Sequence, residues 1–328
     1  MKITNTGNIP LALGVWLLHD EYDYQSMANY ISATRLMKPL RALILAARVP
    51  PDQQVSDLED YISRAYGHSL HDSIEKAWTN DKARNNGLRQ LGYPEHVIER
   101  ILVNPTKEQL AAKPDAIPVY LEQRCFKKVV IMGVEYTIGG KFDMVAEGIV
   151  HDNKSTTAYA WLFGGKDDDY QLQGSIYRWL EPEKITEDFI RINFLFTDWQ
   201  KLQARTNPAY PQKRVEFKDI RLKDIRDTDS WVRNKITMFE KYKNSPDEEI
   251  PECTPEELWM SEPVYKYYSD PSKTTGKSTK NFNDPGEANQ WWQVEKGGKG
   301  IVITIPGTPK RCEYCEAAPV CKQRLKYL

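Results

Sequence analysis

The chain has 328 residues, 40% hydrophobic and 28% charged with a formal net charge of −1, a composition that supports one large globular domain or a domain plus an appendage. No stretch approaches the roughly 18 uncharged apolar residues of a membrane-spanning helix, and the apolar patch LALGVWLL near the N-terminus has no small-residue cleavage pattern after it, so a soluble, cytoplasmic protein with no membrane partner is expected. The balance of charge excludes a polycation, yet residues 264–328 hold 11 Lys and Arg against 6 Asp and Glu, so a bound polyanion would sit on a local surface.

The first hundred or so residues read helical, and residues 1–118 are expected to form an N-terminal helical region. In ISATRLMKPL, Ser32 is a candidate N-cap, and Pro39 must start, end or kink a helix. From Ser56 to Trp78 apolar residues recur at helical spacing (Leu58, Tyr61, Ile62, Ala65, Tyr66, Leu70, Ile74, Ala77, Trp78), which predicts an amphipathic helix. Shorter helices are expected at 81–91 and 94–102, followed by a Pro-bearing link over 105–118. Residues 119–156 are rich in Val, Ile, Tyr and Phe and broken by glycines, and predict three antiparallel strands. A helix over 168–180, an apolar strand over 188–199, an alternating strand over 214–222 and a helix over 223–243 complete a core spanning 119–244. Residues 245–328 read as an irregular appendage. The fold class is therefore α/β (α+β), a mixed central sheet flanked by helices.

Asp152-Asn153-Lys154 follows Asp143 by nine residues, across a turn expected at Glu147-Gly148, so the two aspartates can face one pocket from neighbouring strands. Converging carboxylates repel unless a cation lies between them, and hard oxygen ligands suit Mg2+ or Mn2+. Lys154 shares a face with Asp152, because side chains alternate along a strand. A cation with an adjacent ammonium suits phosphodiester hydrolysis. An ion-paired hairpin is the bland reading of the same tripeptide, and a second acid-x-lysine at Glu216-Phe217-Lys218 has no acidic partner.

GGKFDMVAEGIVHDNKST resembles the core of the RecB-like branch of the PD-(D/E)xK nucleases, with a restriction-endonuclease-like fold. GHSLHDSIE (Gly67, His71, Glu75), YQLQGSIYRWL (Gln173, Tyr177) and ISATRLMKPL are similar to that branch's flanking motifs, in order, across roughly residues 31–200. The resemblance implies that His71, Asp143, Asp152 and the backbone carbonyl of Asn153 hold the metal. It further implies that Lys154 is the catalytic lysine and that Gln173 and Tyr177 order the lysine and the nucleic-acid backbone. Glu75 is a weaker candidate, His68 reads as a boundary residue, and Asp167, Asp168 and Asp169 read as helix-start residues.

Cys312, Cys315 and Cys321 form C-x2-C-x5-C within the last 17 residues, the density of a Zn2+ or iron–sulfur site, which needs a fourth ligand. Several RecB-like nucleases carry a [4Fe-4S] cluster whose fourth cysteine precedes a proline ahead of the first motif; this chain has Lys38-Pro39 there. Cys253 is the expected substitute, and Cys125 reads as a small buried side chain. Zn2+ and [4Fe-4S] stay open. Lys273, Lys277, Lys280, Trp291, Trp292, Lys296 and Lys299 interleave cations with aromatics, as suits phosphate contact with base stacking, or else a solvated loop with its aromatics packed inward. The expected activity is a metal-dependent deoxyribonuclease, an exonuclease on duplex ends or single strands. Such an enzyme could be phage-encoded and work beside a recombination or replication protein. The competing expectation is a non-catalytic nucleic-acid binder or scaffold on the same fold.

Overall fold

The computed structural model describes residues 2–21 and 23–327. The described residues fall into two compact units, one within residues 2–38 and 54–240 and one of residues 39–53 and 241–327. This differs from three consecutive segments divided near 118 and 244: most of the N-terminal helical region belongs to the same unit as the core, and a short piece of it joins the C-terminal unit.

The larger unit is built on a mixed sheet. In chain order its strands are β1 (Tyr30–Ser32), β2 (Ile101–Val103), β3 (Ile117–Ile131), β4 (Val134–Ala146), β5 (Ile149–Thr156), β6 (Phe189–Phe196) and β7 (Val215–Arg221). They are ordered β2-β3-β4-β5-β6-β7, with β1 parallel to the first part of β4. The β3, β4 and β5 meander is antiparallel, as its sequence predicts, and β5 and β6 run parallel. Glu147 (φ 52°) and Gly148 (φ 77°) join β4 to β5 with both residues left-handed, the two-residue turn whose twist matches a hairpin. In β6 alternate residues Ile190, Ile192, Phe194 and Phe196 are buried, each contributing about 1.5–3 kcal/mol through burial of apolar surface.

Three helices matter for the site: α1 (Ile62–Thr79), α2 (Asp167–Leu180) and α3 (Ile225–Tyr242). α1 starts later than its apolar pattern suggests, because Val55–Asp57 pairs as a short strand with Lys2–Thr4 and a 3-10 turn follows. The expected helix over 94–102 is a single turn, Glu95–Ile98, and Ile101–Val103 extends to join the sheet beside β3. The link over 105–118 carries its own short helix, Lys107–Ala112, closed by a capping box at Thr106 and Gln109. α2 lies directly on β4: a Cβ at Gly140 would come within 2.9 Å of both Tyr177 and Leu180. Only glycine permits that approach, which is what seats Tyr177 deep beneath the strand bearing Asp143.

The smaller unit is more regular than expected. β8 (Val264–Tyr268), β9 (Lys280–Phe282) and β10 (Ile301–Ile305) form an antiparallel sheet ordered β9-β8-β10, on which α4 (Pro285–Lys296) packs. α4 is punctuated at both ends, by Asp284 accepting from the Glu287 amide and by Gly297 in the left-handed region. The strands are only three to five residues long and widely separated, so no local alternation announces them. Among the described residues, no helix is long and apolar enough to cross a membrane.

Candidate metal and active site

His71, Ile74, Glu75 and Trp78 lie three and four positions apart on the half-buried face of α1. His71 reaches the end of the β4–β5 hairpin. Its Nδ1 is 3.2 Å from Asp143 Oδ1, and its Nε2 is 3.0 Å from the Asn153 carbonyl oxygen. Both ring nitrogens thus face acceptors, which only the doubly protonated ring satisfies. Burial works against the imidazolium, but the bond to Asp143 and the Asn153 carbonyl outweigh it and raise His71 to about 9. Asp143 also accepts from the Asn153 amide at 3.2 Å, and despite burial its bond to His71 holds its carboxyl below the usual carboxylate range.

Asp152 is the most deeply buried acid of the site, 3% exposed, on the strand that Val150 anchors in the core. Its Oδ1 accepts from Lys154 Nζ at 2.7 Å, and its Oδ2 has no hydrogen-bond partner among the described residues. Burial, opposed by Lys154 and reinforced by the charge of Asp143, pushes Asp152 up to about 7. A buried carboxylate oxygen without a donor calls for a cation or a proton.

Glu122 is the residue that sequence reasoning missed. It lies across from Asp143, between the Leu121–Met144 and Gln123–Phe142 pairs of an unshifted β3–β4 register, with φ 51°, a conformation strained for any residue other than glycine. Its Oε1 is 3.9 Å from His71 Nδ1, and its Oε2 pairs with Lys141 Nζ at 2.6 Å. Burial raises its carboxyl despite Lys141. Among the described residues, His71, Glu122 and Asp143 place one ligand atom each within 4.8 Å of one another. A small cavity lined by these three, Ile74, Glu75, Leu121 and Asn153 lies against them. The one trace of Glu122 in the sequence is that an acid directly follows the apolar VYL of β3, which by itself does not place it in a site. Glu122→Gln should weaken Mn2+ binding by about tenfold, the scale of losing one oriented metal-site partner, read by calorimetric titration; an unchanged Kd would remove Glu122 from the site.

The other expected residues divide. Glu75 lines the cavity, while His68 is exposed on α1. Gln173 Nε2 donates to the Tyr177 hydroxyl at 3.1 Å, so Gln173 is bonded to Tyr177 rather than to the lysine, whose bonded partner is Asp152. Tyr177 packs edge-on against Phe142, and burial raises its hydroxyl above the ordinary value. Asp167, Asp168 and Asp169 occupy the first turn of α2, where Asp167 pairs with Lys218 at 2.8 Å.

In the smaller unit Cys253, Cys312, Cys315 and Cys321 line one cavity, with Pro39, Arg41, Arg311 and Gln323 among its other walls. All four are free thiols, spread around the cavity more widely than the His71, Glu122 and Asp143 ligand atoms. Cys125 is buried in the larger unit and donates to the Gly140 carbonyl, as a small core side chain would. Lys273, Lys277, Lys280, Lys296 and Lys299 are exposed. Trp291 and Trp292 instead pack on the small core of Tyr267, Phe282 and Ala288, and Lys280 and Lys296 each stand 4.8 Å from the centre of the Trp291 ring. Lys273 pairs with Asp270 at 3.3 Å, and a base could stack on Trp291 only after Lys280 and Lys296 moved.

No family model matches the sequence, nor does any curated protein. Among solved structures, the chain is similar to SSO0001, at 14% identity over 70% of this chain and 85% of that one with a TM-score of 0.40. A second similarity, to Rai1 of Scheffersomyces stipitis, has 13% identity over 87% and 76% of the two chains and a TM-score of 0.20. Neither likeness is close enough to bear on fold or function.

Proposed function

We propose that the chain is a divalent-metal-dependent deoxyribonuclease of the RecB-like PD-(D/E)xK kind, an exonuclease hydrolysing phosphodiesters at DNA ends or in single strands. One observation carries this reading: His71 bridges Asp143 and the Asn153 carbonyl, so a helix and a hairpin some 80 residues apart converge with Asp152 and Lys154 next to them. Mg2+ or Mn2+ would be held by Asp143, Asp152 and the Asn153 carbonyl, joined by Glu122 and by His71 once its ring gives up a proton; oxygen donors with one imidazole suit either ion. The unpartnered Asp152 Oδ2 supports the same assignment. When bound, such a cation activates water and offsets charge on the phosphate. Lys154, fixed by Asp152, supplies a positive charge where the phosphate oxygens gain negative charge, and needs no reorganisation to do so. Tyr177, held by Gln173 and packed beneath β4, fixes the strand that carries Asp143. The four cysteines of the smaller unit are read as ligands of a [4Fe-4S] cluster or Zn2+, which the visible spectrum of anaerobically purified protein separates.

The test is incubation of end-labelled linear, nicked and circular DNA with Mg2+, Mn2+ or EDTA. Expected is metal-dependent loss of label from linear DNA with circles spared. DNA retained equally in EDTA, with no cleavage stimulated by Mn2+, would sink the hydrolase reading and leave a non-catalytic nucleic-acid binder.

A further inference from the structure

Of the five buried polar or charged residues among those described, two belong to the smaller unit, Arg41 and Gln323, and both line the cysteine cavity. A buried guanidinium must place all its donors, and the placements of Arg41 are specific. Nε donates to Cys321 Sγ at 3.3 Å, Nη1 donates to the carbonyls of Asp247 and Ile250 at 3.1 and 2.8 Å, and Nη2 donates to Asp247 Oδ1. The second oxygen of Asp247 accepts from the amide of Lys322, the residue after Cys321, at 3.0 Å. Arg41 and Asp247 thus hold Cys321 from both sides, by its sulfur and by its backbone.

Gln323 does the equivalent for Cys253. Its Oε1 accepts from the Cys253 amide at 2.8 Å, and its Nε2 donates to the Cys253 carbonyl at 2.9 Å. A two-bond amide clamp across 70 residues fixes where Cys253 stands relative to Cys321, two positions before Gln323. Arg311, beside Cys312, also lines the cavity; its guanidinium lies over the Trp259 ring, and its buried Nε has no hydrogen-bond partner among the described residues.

We infer that Arg41 and Gln323 are positioning residues of a four-thiolate site whose fourth ligand is Cys253, with Arg41 supplying an N–H···S bond and a fixed positive charge to Cys321. The inference rests on reading the cysteines as one metal or cluster site. The donor set fits such a group: four thiolates around a divalent ion or a [4Fe-4S] core leave excess negative charge, and a buried guanidinium touching one sulfur offsets part of it. Groups that orient the ligands of a metal commonly alter its retention by about 10–100-fold when changed. The paired Asp247 balances Arg41 in the absence of metal, so the cation can remain buried in either state.

The experiment compares the full-length chain with Arg41→Lys, Arg41→Gln, Gln323→Leu, Cys253→Ser and Cys125→Ser, all purified anaerobically. Iron and zinc are measured per chain, and the rate at which a chelator removes the bound metal is followed by absorbance. Wild type should hold metal, Cys125→Ser should match it, and Cys253→Ser should lose it. Arg41→Lys keeps the charge and can pair with Asp247 but lacks the fork that also reaches sulfur; it should release metal roughly tenfold faster than wild type, and Arg41→Gln and Gln323→Leu faster still. Wild-type release from Arg41→Lys and Gln323→Leu, in a protein that does bind metal, overturns the inference alone. Loss of metal from Cys125→Ser with retention in Cys253→Ser overturns the ligand assignment. A wild-type chain holding neither iron nor zinc overturns the reading of the cysteines and the inference together.

Discussion

Asp152→Asn is expected to lower Mn2+-dependent hydrolysis of end-labelled DNA by roughly 10²–10³-fold, the scale seen when one preorganised electrostatic group is removed from an active site. Thermal stability in EDTA should not fall with it. The amide has the shape of the carboxyl, its oxygen can still accept from Lys154, and its NH2 can donate to Asp143, whereas the native Oδ2 has no donor. Burial already raises Asp152 far above an ordinary carboxylate, a sign that the ionised form is disfavoured in the fold and retained for another reason. Lys154→Met makes the useful contrast. It should be equally inactive, yet melt below Asp152→Asn, because it leaves a buried carboxyl without its cation. Undiminished initial rates in Asp152→Asn, with the protein freed of contaminating nuclease, would end the assignment of this residue.

Cys315→Ser should release the C-terminal segment from its fold. Residues 310–327 contain three short 3-10 turns and no longer element, and their buried members are few. A metal or cluster shared among four thiolates can contribute about 10–16 kcal/mol in small zinc domains, far more than such turns supply by burial. Trypsin should therefore cut Cys315→Ser after the exposed Lys310, Lys322 and Lys326 at least about tenfold faster than wild type, followed by intact-mass measurement, with the larger unit left whole. Equal cleavage of the two proteins would show that the thiolates do not hold the segment.

The hairpin and the convergence of its side chains were legible because their signals are local. Glu147-Gly148 marks the turn, alternation places Asp152 and Lys154 together, and the apolar face of α1 points His71 inward. Glu122 was not legible in the same way: it faces Asp143 from a left-handed backbone position within β3, which does not follow from residue type. The division into units escaped for a related reason. Residues 39–53 join residues 241–327 by contacts such as those of Arg41 with Asp247 and Cys321, and contacts across more than 200 positions leave no period to read. The small sheet of β8, β9 and β10 was hidden by the shortness of its strands, and what read as an irregular, Lys-rich tail has its two tryptophans on an inner core.

The discontinuity of the smaller unit has a consequence for the ribosome. Leu43, Ile44 and Leu45 are each at most 3% exposed in the finished protein, yet residue 241, where the rest of their unit begins, is made nearly 190 residues later. At about 5–20 residues per second that interval lasts on the order of ten to forty seconds, during which the segment emerges early and stays unfinished. Cys321 follows later still. The nascent chain therefore carries an apolar stretch that must be shielded, by a chaperone or by transient collapse, and Arg41 cannot meet its sulfur partner until 280 further residues have been made.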